Sequence, residues 1–177
     1  LSITGIDIHL NAVIGATTNM LALYFSFTNA YNYAKLKGAD ELVAGILSLA
    51  SFIILIPQQI NLKDGTILLA IEKDYLGSNG IFVSMLIAII VGYLFTLLNK
   101  KGLIIKLPES VPEMVTRSLS PVFIAMIIFI VALFLRLIFA YTSFNNIFNF
   151  VNEIIGIPIM NLGSSIPAIL IFFVTVP

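Results

Sequence analysis

Long apolar stretches dominate this sequence, and they constrain its fold more than any other feature. They cover residues 10–34, 41–57, 80–99 and 119–141. Only 10% of the residues are charged, against roughly 25% in an ordinary soluble domain. Inside a bilayer no water satisfies the backbone, so such stretches must be helices. The sequence predicts an all-α polytopic membrane protein with four or more transmembrane helices, accompanied by amphipathic interfacial helices and surrounded by lipid.

Charge and motif content exclude several classes of function. The net charge is zero, so no basic field favours nucleic-acid binding. Cysteine is absent, which excludes disulfides and thiolate chemistry within these residues. Nucleotide-binding glycine loops and the HExxH metalloprotease pattern are missing, and His9, the single histidine, is typical of a solvated interfacial residue. We therefore expect no metal, no cofactor and no catalytic residue in this stretch.

Small and polar residues recur along single helix faces. In the first span the face consists of Asn11, Gly15, Thr18, Ala22 and Asn29. In the second and third spans it consists of Ala44, Ser48 and Ser51, and of Ser84, Ala88, Gly92 and Thr96. Such spacing lets helix backbones approach closely in a membrane. Close helix packing is one interpretation, and a polar pathway lined by Asn11, Thr18 and Asn29 is the other.

Arg136 is the only charged residue within the predicted spans apart from Glu41 at the start of the second. Intramembrane charges are functional candidates, although Arg136 lies close enough to the end of its span to extend to the interface. Glu153 is a possible ionic partner. With Asn79, which precedes the third span, the candidates for a substrate pathway are Asn11, Thr18, Asn29, Asn79 and Arg136.

Basic residues predict the orientation of the spans. The connectors after the first and third spans carry Lys35, Lys37, Lys100, Lys101, Lys106 and Arg117. The connector after the second carries only Lys63 and Lys73, balanced by acidic residues, and none follows the fourth. Because basic connectors stay on the cytoplasmic side, the first and third connectors are predicted to be cytoplasmic. The start of the chain is then predicted to lie outside.

The connector at residues 100–118 has a pattern of its own. Ser110 and Glu113 have the spacing of a capping box, and Pro112 occupies the first turn, where its missing N–H is harmless. Glu113 and Arg117 are separated by four residues in the favourable order. This pattern predicts a short amphipathic helix that forms a platform on the cytoplasmic face.

Residues 142–163 show a second amphipathic pattern. Phe144, Phe148, Val151, Ile155 and Ile159 form an apolar stripe, opposite Asn145, Asn149, Asn152 and Glu153. This is typical of a helix in the membrane interface, or of a half-inserted arm. The next apolar run, residues 164–177, has about 14 residues where a spanning helix needs roughly 20. We therefore expect the sequence to be part of a longer polypeptide.

The order of several motifs resembles a known family of transporters. LGSNGIFVSMLIAIIVGYLF at residues 76–95 is followed by KKGLIIKLPESVPEMVTRSLSPVF at residues 100–123. Together they are similar to the membrane IIC component of the bacterial sugar phosphotransferase system, in its lactose, cellobiose and diacetylchitobiose branch. DELVAGILSLASFIILIP at residues 40–57 and YTSFNNIFNFVNEIIGIP at residues 141–158 also fit, so the resemblance covers nearly the whole chain.

The resemblance implies a multi-pass permease of the bacterial cell membrane that imports a disaccharide of the cellobiose, chitobiose or lactose type. The sugar would be phosphorylated during import by a phosphocysteine on a cytoplasmic IIB protein, whose docking candidates are Lys106, Glu113 and Arg117. Residues 1–141 would form scaffold helices at the interface of a homodimer. Residues 142–163 would connect them to a sugar-binding domain that starts at residues 164–177. The family's GIHG motif and later glutamate have no counterpart here, so no catalytic residue is transferred.

Two other classes of function remain open from the residues alone. An ion- or proton-coupled secondary transporter could use the Asn and Thr stripe together with Arg136. A non-transporting membrane scaffold is compatible with the small-residue faces, which need only mediate helix packing.

Overall fold

The structure, a computed structural model, describes residues 6–61, 65–102 and 121–158. The helices are α1 (Ile6–Ala16), α2 (Leu21–Leu36), α3 (Glu41–Leu55), α4 (Ile81–Lys100), α5 (Val122–Ala140) and α6 (Ile147–Val151). Short 3-10 turns cover Thr18–Met20, Lys73–Tyr75 and Ser78–Gly80, and a π-helical turn, Asn152–Gly156, extends α6. Strands β1 (Ile60–Asn61) and β2 (Ile67–Leu68) form a small antiparallel hairpin. Of the predicted platform at residues 100–118, the part from residue 103 onward lies outside the described residues, as does the apolar run at 164–177.

Two helices in the described part of the chain are long and apolar enough to cross a membrane. They are Ser78–Lys100, with 23 residues, and Val122–Ala140, with 19, and they coincide with the third and fourth predicted spans. The second predicted span forms α3, which has only 15 residues and is about 22 Å long at 1.5 Å per residue. It ends at Leu55 because Ile56, which precedes Pro57, is extended, as residues before proline prefer.

The first predicted span is not one helix, and that expectation was wrong. The α-helical geometry stops after Ala16, and Thr17 has φ −105° and ψ −83°. Thr17 Oγ1 donates a hydrogen bond to the carbonyl oxygen of Val13 at 2.8 Å. Such a bond from a threonine side chain to the carbonyl four residues earlier competes with the helix backbone, and the break follows directly after it. The regular helix resumes at Leu21.

The core is a bundle in which α2, α3 and α4 pack against one another and α5 packs against α3. One face of α2 is fully buried and consists of Ala22, Ser26, Ala30 and Ala34. The small-residue faces predicted for the second and third spans are buried as well, which confirms their role in helix packing. In the first span only Ala22 of the predicted face is fully buried, because the buried face of α2 continues through Ser26, Ala30 and Ala34 and not through Asn29.

Glycine and serine mark the closest approaches between these helices. A Cβ added to Gly45 of α3 would lie 2.7 Å from Cε2 of Phe27, and one added to Gly92 of α4 would lie 3.0 Å from Cδ1 of Tyr33. The hydroxyl groups of Ser26 and Ser48 are hydrogen-bonded at 2.9 Å in the buried contact of α2 with α3. Small side chains are therefore required for α2 to contact both neighbours.

Helix α6 begins where the second amphipathic pattern predicts a helix. Asn146 caps it, because its side chain accepts a hydrogen bond of 2.8 Å from the backbone N–H of Asn149. Phe148 and Val151 are buried, whereas Asn149, Asn152 and Glu153 are exposed. The apolar side of α6 contacts α4 and α5, so α6 closes one end of the bundle.

Candidate functional site at the turn end of the bundle

The bundle has two chemically different ends. At the lysine end, which comprises residues 35–40 and 99–102, Lys35, Lys37, Lys100 and Lys101 lie next to the ends of α2 and α4. At the turn end, which comprises residues 56–61, 65–80 and 141–158, the hairpin, the 3-10 turns and α6 come together. Ring contacts tie this end together, since Phe148 lies 4.7 Å from Tyr75 and 5.8 Å from Phe52 between ring centroids. Cavities lined by polar side chains lie at the turn end.

Arg136 joins α5 to the end of α3. Its Nη1 donates to the carbonyl oxygen of Ile54 at 2.6 Å and to that of Ile56 at 3.2 Å. The last carbonyl groups of a helix have no partner within the helix, and a cation is favourable at this negative end of the helix dipole. Arg136 therefore acts as a cap for α3. Among the described residues no ion pair links Arg136 with Glu153, so that suggested partnership was wrong.

Two cavities border Arg136. A cavity of about 110 Å³ is lined by Leu55, Pro57, Arg136, Ala140, Asn145, Asn146 and Ile147. A more open one of about 400 Å³ is lined by Pro57, Gln58, Gln59, Leu69 and Arg136. A guanidinium group has five N–H donors, and its two contacts with α3 leave donor capacity toward these spaces. Arg136 can thus cap α3 and still interact with water or a polar ligand.

A third space, the polar cavity, has about 130 Å³ and lies between the 3-10 turns and α6. It is lined by Glu72, Asp74, Tyr75, Asn79, Phe148, Asn149 and Asn152. Phe148 is buried and Tyr75 is half-buried, while the two carboxylates and three amides are exposed. The result is a recess with aromatic rings in its wall and hydrogen-bonding groups accessible to solvent.

Tyr75 is the most constrained polar group of this cavity. Burial raises the pKa of its phenol, the nearby Glu72 and Asp74 carboxylates raise it further, and a hydrogen bond with Asn146 opposes them. Because the ordinary pKa is already 10.0, Tyr75 is a neutral hydroxyl at physiological pH. Asn146 also caps α6, which carries Asn149 and continues into the turn that begins at Asn152.

The predicted pathway residues are spread over the molecule. Asn79 lines the polar cavity and Arg136 borders the other two. Thr18 is exposed, but its carbonyl and the backbone of Asn19 lie against Gly77 near the same end. Asn29 is half-buried and donates to the carbonyl oxygen of Phe25 at 2.9 Å, and Asn11 is exposed on α1. The structure therefore does not assemble these five residues into one site.

The carboxylates and the tyrosine of the polar cavity were not predicted as site residues from the sequence. In the sequence, Glu72 and Asp74 indicated only that the charges of Lys63 and Lys73 are balanced, and no pattern singled out Tyr75. The amphipathic pattern did group Asn149 with Asn152 on one face. The sequence feature that could have indicated the site is the high density of polar side chains in residues 72–79, directly before an apolar span. Their contact with α6, about seventy residues later, is a tertiary feature that no local pattern contains.

Metal ligands and partner-docking residues complete the set of sequence predictions. Across residues 6–61, 65–102 and 121–158, no group of three or more His, Cys, Asp or Glu side chains could hold a metal ion. The docking candidates Lys106, Glu113 and Arg117 lie outside the described residues and remain predictions.

Comparison with known proteins gives a consistent set of matches. The family model described as "Phosphotransferase system, EIIC" matches residues 2–177. The galactose-specific EIIC component of Lactococcus lactis is 37% identical over 171 residues, which cover 88% of this chain and 38% of that protein. The cellobiose-specific EIIC component of Geobacillus stearothermophilus is 34% identical, with 86% of this chain and 35% of that protein covered.

A solved structure matches as well. The fold is similar to the crystal structure of the transporter ChbC, the IIC component of the N,N'-diacetylchitobiose-specific phosphotransferase system, with a TM-score of 0.84 and 36% identity. That match covers 89% of this chain and 38% of ChbC. The chain thus spans less than half the length of the proteins it matches.

Proposed function

The chain belongs to the phosphotransferase system EIIC family, and from this we propose that it forms part of a permease that imports a disaccharide and couples import to phosphorylation. The similarity to ChbC carries the proposal, because a TM-score of 0.84 with 36% identity extends over 89% of the chain. The sugars named in the relatives are galactose, cellobiose and diacetylchitobiose. Galactose is a monosaccharide, whereas cellobiose and diacetylchitobiose are disaccharides, and we assign the substrate class as a disaccharide of the cellobiose, chitobiose or lactose type.

In this proposal the chain crosses the bacterial cell membrane at least four times. Helices α4 and α5 have the required length and composition. The other crossings are made by α2 and α3, which are short but pack along α4. The positive-inside rule assigns the lysine end to the cytoplasm, and the turn end, with its polar cavities, then faces outward. An outward polar recess is where an imported sugar would arrive.

The remaining roles follow from the family and the sequence pattern. Residues 1–141 form scaffold and dimer-interface helices, residues 142–163 connect them to the sugar-binding part, and residues 164–177 begin that part. A cytoplasmic IIB protein, carrying the phosphoryl group, docks at the platform of residues 100–118 through Lys106, Glu113 and Arg117. The surplus of basic residues in this connector supports a docking surface for a protein partner on the cytoplasmic side.

The other classes of function are not favoured. An ion-coupled transporter would have relied on a continuous polar stripe with Arg136, but Asn11 and Thr18 are exposed and Arg136 caps α3. A pure scaffold would not account for membership in a family of permease components.

Uptake by the full-length transporter tests the proposal. Membrane vesicles that contain it should accumulate phosphorylated cellobiose, N,N'-diacetylchitobiose or lactose only when the phosphoryl-donor proteins and the matching IIB are supplied. An uncoupler that collapses the proton gradient should leave this accumulation intact. Free sugar in the vesicles, with accumulation lost on uncoupling, would instead identify a secondary transporter.

The same assay tests the docking surface. Arg117→Glu reverses a charge on the platform and should lower sugar phosphorylation several-fold at limiting IIB, while the amount of inserted protein stays constant. Added IIB should partly restore the rate, because weaker docking is overcome by mass action. Equal losses of insertion and phosphorylation would leave Arg117 with a structural role only.

A further inference from the structure

We propose that the polar cavity is an outer saccharide-binding site, which holds hydroxyl groups of the incoming sugar before it reaches the main sugar-binding part of the permease. The inference rests on the proposed function and adds a location and a set of residues to it. The observations that carry it are the side chains of the cavity, their fixed arrangement and their position at the turn end of the bundle.

The donor and acceptor groups of the cavity suit a neutral polyhydroxylated ligand. The carboxylates of Glu72 and Asp74 accept hydrogen bonds, and the amides of Asn79, Asn149 and Asn152 both accept and donate. The raised pKa of Tyr75 keeps its phenol protonated. Adjacent hydroxyl groups of a sugar can pair with such a mixture, and each charged acceptor forms a stronger hydrogen bond than a neutral one.

Much of this hydrogen-bonding capacity is unused in the described residues. The side chain of Asn79 makes no hydrogen bond to any other described residue, and neither do the carboxylates of Glu72 and Asp74. Asn149 uses one N–H, which donates to the carbonyl oxygen of Phe144 at 3.0 Å, and keeps its other N–H and its oxygen. A ligand could therefore engage these groups without breaking contacts that stabilise the fold.

Two other ligand classes fit less well. An anion would be repelled by Glu72 and Asp74, and no Lys or Arg is among the described residues that line the cavity. For a divalent cation, the described residues contain no group of three or more His, Cys, Asp or Glu side chains that could hold it. The half-buried ring of Tyr75, backed by the buried Phe148, also offers apolar surface that a hydrated cation would not use but the C–H face of a sugar ring can.

The cavity is held open by contacts that do not involve a ligand. Asn146 caps α6 through a hydrogen bond of 2.8 Å from the backbone N–H of Asn149, and the ring of Tyr75 contacts the buried Phe148. Gly80 fits beneath the carbonyl of Tyr75 so closely that a Cβ there would collide with it. Such a preformed recess lowers the entropic cost of binding.

Protection of an introduced thiol tests binding directly. These 177 residues contain no cysteine, so Asn79→Cys supplies a single reactive group in this part of the transporter. In intact cells that carry the full-length protein, a membrane-impermeant maleimide should label it, and cellobiose, N,N'-diacetylchitobiose or lactose should slow the labelling several-fold. Tyr141→Cys is the matched control, because Tyr141 is 90% exposed at the same end and does not line the cavity. Its labelling should be unaffected by sugar.

Kinetics test the role of the carboxylates. Glu72→Gln combined with Asp74→Asn should raise the half-saturating sugar concentration about tenfold, with little change in the maximal rate of phosphorylation, because charged acceptors are replaced by neutral ones. Glu153→Gln removes an exposed carboxylate from the neighbouring helix turn and should leave both parameters unchanged.

The outcomes separate the inference from the proposed function. Normal phosphorylating transport with unprotected Asn79→Cys and an unchanged half-saturating concentration would overturn the outer site alone. Protection by calcium rather than by sugar would also overturn it, in favour of a cation site. Labelling only in inside-out vesicles would contradict the outward position. Protection by sugar without any sugar phosphorylation would retain the binding site and reject the phosphotransferase function.

Discussion

Arg136 and the two carbonyl groups that it contacts determine how α3 ends. The sequence identified Arg136 as unusual, because it is a charged residue in the interior of an apolar span, but left open whether it binds a ligand or extends to the interface. In the structure Arg136 donates hydrogen bonds to the carbonyl groups of Ile54 and Ile56. Carbonyl groups without water or a partner are costly in a low-dielectric environment, so these contacts stabilise the end of α3. The partner is eighty or more residues away, so local sequence could not reveal it.

Removal of this cap should destabilise the protein. Arg136→Leu leaves the carbonyls of Ile54 and Ile56 without their donor, and we expect the free energy of unfolding to fall by about 1–3 kcal/mol. Arg136→Lys should lose less, because an ammonium group can still donate to one carbonyl. Thermal unfolding of the full-length transporter in mild detergent measures the difference. Lys101→Leu removes an exposed cation at the lysine end and serves as the control; equal melting temperatures for it and Arg136→Leu would contradict the capping role.

Some features of the helices could be predicted from local sequence spacing, and others could not. Small residues at intervals of three or four in α3 and α4 predicted buried contact faces, and these faces are buried, because the spacing itself sets which side chains share a side of a helix. The break at Thr17–Met20 was missed because hydropathy continues through it. Hydropathy averages over side chains and is insensitive to a single residue such as Thr17, whose hydroxyl bonds back to the helix.

A larger side chain in the contact face of α2 should separate the helices. Ala30 is fully buried, so Ala30→Leu inserts three heavy atoms where no space exists, and we expect a loss of about 1–3 kcal/mol in stability. Asn32→Leu places the same side chain at an exposed position of α2 and should be tolerated. Size-exclusion chromatography of the solubilised full-length protein after heating reports the folded fraction. If both variants lost the same fraction, Ala30 would not lie in a tight contact.

At the scale of the whole molecule, charge and topology agree on two distinct ends. The lysine end carries four lysines and the turn end carries Lys73, together with the amide and carboxylate groups of the polar cavity. The sequence predicted these two ends, because successive spans place their connectors on alternate sides and the basic residues are concentrated in the first and third connectors. It could not predict the polar cavity, which forms only when residues 72–79 meet α6.

The two ends should be accessible from opposite sides of the membrane. Lys37 and Leu69 are exposed at the lysine end and the turn end. A membrane-impermeant maleimide should therefore label Leu69→Cys in intact cells and Lys37→Cys only after permeabilisation. Labelling of both variants in permeabilised cells is the internal control for thiol reactivity. The opposite pattern would reverse the assigned orientation and move the polar cavity to the cytoplasm.

The short length of α3 has an electrical consequence. In the proposed arrangement, where α3 crosses the membrane, its length of about 22 Å covers roughly three quarters of the approximately 30 Å hydrocarbon core of a bilayer, and Arg136 with the cavities beside it makes the uncovered end polar. Where such a recess is hydrated, the insulating layer is thinner than in the surrounding lipid. The membrane voltage then falls over a shorter distance along α3, and the local field is stronger by about a third. A dipolar substrate that passes beside this helix would be oriented by that field more strongly than one that passes beside α4 or α5.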